Sequence, residues 1–158
     1  KIRFQTFNIL GLPGESLDIA MKTYVLNKDI RPDFVWCSLL VPYPGTDIYE
    51  YCKTSGFIEN SDVAETAAAS FFVDTPVKLE DRRSIMNLQK LLFFGVLFHI
   101  PEQMMRFLSR LPLTFFYRII FGTGMFFGLT RMNKLDFFRS MVMTLKHIAR
   151  YNFQHRKS

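Results

Sequence analysis

The chain has 158 residues, 49% hydrophobic and 16% aromatic, with 20 Lys/Arg against 14 Asp/Glu and a formal net charge of +6. That length gives one domain with a real core, and the apolar content excludes an intrinsically disordered chain. The charge is uneven: residues 1–102 hold ten Lys/Arg and thirteen Asp/Glu, whereas 103–158 hold ten Lys/Arg and the single acid Asp136.

Arg3 to Leu10 reads as a strand, with Phe4, Phe7 and Ile9 as strand formers and Gly11 ending the run. Ser16 is a good N-cap and Asp18 sits in the first turn, where the helix dipole favours an anion. Leu17, Met21, Tyr24 and Val25 then recur at helical spacing until Asp29–Pro32 breaks the pattern. Phe34 to Val41, "FVWCSLLV", is a nearly continuous apolar run, as a strand covered on both faces requires. Pro42, Pro44 and Gly45 stop it, Thr46 caps the next helix, and Gly56 ends that helix. Residues 3–56 therefore spell strand, helix, strand, helix, which implies parallel strands joined by a right-handed crossover.

Asn60 to Lys78 is irregular and reads as a loop. From Leu79 the chain turns helical: Leu79–His99, apolar on every side in its second half, then Pro101–Leu111 and Leu113–Phe121, split by Pro112. Asn133 and Asp136 resemble a further helix start, followed by a stripe of Leu135, Phe138, Val142, Leu145 and Ile148. No bilayer-length span is readable. Leu91–Ile100 falls short of the roughly 20 residues required, and "LTFFYRIIFGTGMFFGLT" carries Arg118 and three glycines. Cys37 and Cys52 suit neither a Cys-x-x-Cys site nor a disulfide framework, so two reduced, buried thiols and an intracellular location are expected. His99, His147 and His155 are dispersed and predict no metal site. Met104 and Met105 are expected in the core.

Both turns, "GLPGES" and "VPYPGT", close a strand and open a helix, so both fall at the carboxyl ends of neighbouring strands, the edge where α/β folds place ligands. Their glycines allow close backbone approach, and the helix behind offers unpaired N–H groups. Neither is a nucleotide-phosphate loop, since a Gly-Lys-Ser/Thr ending and the G-x-G-x-x-G spacing are both missing. Taken singly, each is equally a structural strand-to-helix turn.

As a pair they are more specific. "FNILGLPGES" followed by "PDFVWCSLLVPYPGTDIYEYCKTSGFI" resembles the last two βα units of the radical S-adenosylmethionine enzymes, closest to the branch with a cobalamin-binding domain. "SFFVDTPVKLEDRRSIMNLQKLLFF" resembles that branch's continuation. The resemblance implies α/β then α: the last two βα units of a partial (β/α)6 TIM-like barrel over 1–58, a loop over 59–78 and an all-helical extension over 79–158. It implies that Ile9, Gly11, Leu12, Pro13, Gly14 and Glu15, with Leu40, Val41, Pro42 and Tyr43, border the adenine of S-adenosylmethionine. Asn8 and Ser38 would line a substrate cavity. The family's G-x-I-x-G-x-x-E pattern is only partly met. Phe7 stands at its first glycine and Glu15 falls one position late, so for Glu15 a capping role at the helix start is the expectation.

The family's Cys-x-x-x-Cys-x-x-Cys, which holds the [4Fe–4S] cluster, does not occur in the sequence. The expectation is thus a C-terminal piece of a radical S-adenosylmethionine enzyme, a cobalamin-dependent methyltransferase or relative. Alone it would be inactive, with cluster and cobalamin held outside this chain. Its partners would be the upstream barrel and cobalamin-binding domain of the same polypeptide and a small-molecule or lipid-like substrate, with no nucleic acid. Its place would be the cytoplasm, with membrane-surface contact through the basic aromatic helices. The competing reading is a non-catalytic membrane-surface or partner-binding helical module on a small α/β base. The basic tail also suits a solvated face beside an acidic partner.

Overall fold

Local rules place the first half of the chain. The computed structural model describes residues 2–58, 72 and 74–133, with backbone alone for 129 and 131–133. The elements are β1 (Gln5–Leu10), α1 (Leu17–Ile30), β2 (Phe34–Leu39), α2 (Asp47–Thr54), α3 (Arg82–Leu97), α4 (Glu102–Arg110) and α5 (Thr114–Asn133). Ser16 and Thr46 cap α1 and α2 by accepting the N–H groups of Ile19 and Tyr49, each worth about 1 kcal/mol. Arg31, in the left-handed region at φ 51°, ends α1 by donating its N–H to the Asn27 carbonyl. The helix therefore runs through Asp29 and Ile30, further than the sequence suggests.

β1 and β2 pair in parallel, Gln5 opposite Phe34 through Leu10 opposite Leu39. Leu10 and, on β2, Val35, Cys37 and Leu39 share the main core with Leu17, Ala20, Met21 and Tyr24 of α1 and Ile85, Leu88 and Leu92 of α3. Both cysteines are free and buried. A polar knot lies in the same layer. Asn27 Nδ2 donates to Asn8 Oδ1 at 2.8 Å, Asn8 Nδ2 donates to the Trp36 carbonyl at 3.0 Å, and Thr6 Oγ1 donates to Asn27 Oδ1. These bonds satisfy amides whose desolvation would otherwise cost 1–3 kcal/mol, as an order of magnitude. Tyr24 reaches across to α3 and donates to the carbonyls of Ile100 and Gly95, and burial pushes its phenol up to about 12.

The expected partial barrel does not form. Among the described residues there are two strands and five helices, a small α/β fold. On the outer edge of β2 a helix, not a third strand, meets the backbone. Leu40 N donates to the Leu10 carbonyl, so alternation turns the Cys37 carbonyl away from β1. There it meets Gln89 Nε2 of α3 rather than another strand.

α3 spans Arg82–Leu97 rather than 79–99, and Phe98 beyond it is exposed. α5 continues well past Phe121, through all three of its glycines. Gly124 faces the rings of Phe93 and Phe94, and a Cβ on Gly128 would collide with the ring of Phe34. Gly124 and Gly128 are therefore points of close approach, whereas Gly122 faces open space. Of the two methionines expected inside, Met105 is buried and Met104 exposed. Asn133 closes α5, and the further helix expected beyond it lies outside the described residues. No helix among the described residues is long and apolar enough to cross a membrane.

Candidate functional site

The parallel register carries both turns to one edge. Gly11–Glu15 follows β1, residues 42–46 follow β2, and the bond between Leu40 N and the Leu10 carbonyl (2.8 Å) keeps the strands together up to the turns. Gly11, Gly14 and Gly45 all have positive φ (83°, 73° and 86°), where a side chain would be strained. Open space lies beside Gly14 and Gly45, whereas Gly11 is enclosed by Leu79, Thr75 and the Leu40 backbone.

Most polar groups expected to meet a ligand are already partnered within the protein. Glu15, only 5% exposed, folds back so that its Oε2 accepts the N–H of Gly11 and, at 3.0 Å, that of Leu12. Burial raises its pKa above the usual carboxylate range, and these two N–H bonds work in the opposite direction. Glu15 is thus a clasp for its own turn rather than a cap, the cap being Ser16. At the start of α1, Leu17 N donates to Asp81 Oδ2 at 2.9 Å, so the expected unpaired donor is taken from 64 residues away. On the second strand, Thr75 Oγ1 donates to the Leu40 carbonyl. Sequence reasoning missed Thr75 and Asp81, whose roles depend on long-range packing with no local signature.

The ten residues expected to border an adenine divide accordingly. Gly11, Glu15, Val41 and Pro42 are buried, and Leu40 and Pro13 are half-buried. Ile9, Leu12, Gly14 and Tyr43 are exposed. The two cavity candidates part company. Asn8 points into the knot beneath α1, while Ser38 alternates onto the other face of the sheet beside Ile9. They do not line a common cavity.

The thiols offer no reactive centre. Burial raises the pKa of Cys37, assisted by the charge of Glu15, and burial likewise raises that of Cys52. No group of three or more His, Cys, Asp or Glu side chains able to hold a metal ion occurs among the described residues. No protein-family model, curated protein or solved structure matches the chain.

Proposed function

We propose that the exposed rim formed by Leu12–Gly14 and Tyr43–Gly45 is the adenosine-facing edge of an S-adenosylmethionine site. The parent would be a radical S-adenosylmethionine enzyme, a cobalamin-dependent methyltransferase or relative. The observation that supports this reading is the pairing of two positive-φ glycine turns, each open to solvent, at one end of adjacent parallel strands. The fit is to the faces of a base. Leu12 and Tyr43 supply exposed apolar surface, and Gly14 and Gly45 leave room for close approach. The N–H groups of Gly11 and Leu12 are not offered to the ligand, because Glu15 holds them. The chain's own task is then to hold and orient the base while Glu15 and Thr75 keep the turn and strand end rigid.

A [4Fe–4S] cluster does not fit the described residues. Cys37 and Cys52 are buried in β2 and α2, and no third ligand accompanies them. In this reading the cluster and cobalamin belong to other parts of the polypeptide, and no step is assigned to them here.

The test is amide NMR of the 158-residue chain titrated with S-adenosylmethionine and, separately, adenosine. Saturable shifts confined to the amides of Leu12, Gly14, Tyr43 and Gly45, weakened by Tyr43→Ala, are expected with both ligands. Shifts located elsewhere, or none at millimolar ligand, overturn the reading.

A further inference from the structure

In a globular protein a surface helix turns its apolar stripe inward and its polar face to water. α5 is apolar on both sides. Tyr117, Ile120, Phe121, Gly124, Met125 and Gly128 lie toward the body of the protein, whereas Phe115 (70% exposed), Phe116, Ile119 and Phe127 lie on the outward side. Met104 and Phe107 of α4 are exposed as well.

Each such Phe forgoes the free energy of burying its ring. Four large apolar side chains on one solvent-facing helix side mark a surface built to be covered.

Charge identifies the cover. α5 contains no acid among its 20 residues, and the sequence from Gln103 onward carries ten Lys/Arg against Asp136 alone. Arg106 is tied to Asp18 and Glu102, but Arg110 and Arg118 are exposed and make no ion pair among the described residues. A second copy of the chain would bring these cations against their own kind. The 134–158 segment is itself basic and would not neutralise them. A surface that is apolar inside and anionic at its boundary satisfies both features at once.

The geometry points to the outward face of α5 as a docking surface for an anionic lipid bilayer. The helix lies in the interface with its Phe side chains among the acyl chains and Arg110 and Arg118 at headgroup level. This docking is independent of the adenosyl rim.

The experiment is vesicle flotation of the full 158-residue chain with phosphatidylcholine vesicles, with or without phosphatidylserine, at low and high salt. Binding to the anionic vesicles is expected, weakened by salt and absent on pure phosphatidylcholine. Phe115→Ser/Phe116→Ser and, separately, Arg110→Glu/Arg118→Glu should each weaken partition by about ten-fold or more. All four side chains are exposed, and unchanged circular dichroism verifies that the variants fold.

Three outcomes overturn the proposal. One is no binding to anionic vesicles. Another is binding indifferent to both double variants. The last is a lipid-free dimer, seen by analytical ultracentrifugation, that Phe115→Ser/Phe116→Ser dissolves, because the occupant is then a second copy.

Discussion

Gln89 of α3 donates its Nε2 to the carbonyl oxygen of Cys37 at 3.1 Å, on the side of β2 that faces away from β1. One side chain thus occupies a position that a neighbouring strand would take, while its Oε1 is buried without a hydrogen-bond partner among the described residues. Gln89→Met gives up the bond but also removes the orphaned oxygen, so it should cost only about 1 kcal/mol. Gln89→Glu places a buried carboxylate against a carbonyl and should cost about 3 kcal/mol or more at neutral pH. Urea unfolding of the two variants checks the order. A glutamate no worse than methionine would mean that the bond to Cys37 is not made.

The Glu15 clasp separates two contributions in the same way. Glu15→Ala strands the N–H groups of Gly11 and Leu12 and should cost about 2–3 kcal/mol. Glu15→Gln keeps an acceptor and should fall within about 1 kcal/mol of the parent. Because the folded pKa is raised above 4.5, the folded state holds the Glu15 proton more tightly than the unfolded chain does. The associated stability is present at low pH and is lost as pH rises through the raised value. Glu15→Gln lacks this loss, so its stability relative to the parent should improve as pH increases above 4.5. Denaturation midpoints across that range measure the trend.

Lys90 is 2% exposed, with its ammonium donating to the Met86 carbonyl at 3.0 Å. Burial, then repulsion from Arg118, lowers its pKa from 10.5 to about 8, with Asp74 opposing. Between those values the unfolded chain holds more protons than the folded one, so this group makes stability increase with pH across that window. The full effect is roughly 3 kcal/mol. Lys90→Met should stabilise the protein at pH 7 and flatten this part of the profile, as read from thermal unfolding between pH 7 and 10.5. A parent profile without that upward slope would refute the assignment.

Arg31 and His99 both follow helices in the left-handed region, at φ 51° and 52°, a conformation glycine adopts without steric cost. Arg31→Gly and His99→Gly should therefore each raise stability, by about 0.5–1 kcal/mol. Calorimetric midpoints of the two variants and their combination test this, with near-additive gains expected for such separated sites.

The order strand, helix, strand, helix was legible because Gly11, Ser16, Pro42, Thr46 and Gly56 act through rules that span only a few residues. The shared edge of the two turns was legible for the same reason. The fate of the outer edge of β2 was not, since Gln89 reads locally as an ordinary helix residue and matters only through a carbonyl 52 positions away. The rim was readable in outline, but Thr75 and Asp81 satisfy its backbone from outside the motif. The length of α5 was hidden because its glycines carry a low helix propensity, which contact with Phe34, Phe93 and Phe94 overrides.

That notched contact also orders the molecule's motions. At Gly124 and Gly128, α5 contributes bare backbone to its junction with the body, and the rings filling those notches belong to β2 and α3. α3, by contrast, sinks its own side chains into the core along most of its length. Amide hydrogens of α5 should therefore exchange through a cooperative opening of that helix at a free energy below the one governing α3. Such an opening bares Phe34 and Phe93 while leaving the β1–α1–β2 layer closed. In that hierarchy, α5 opens before α3.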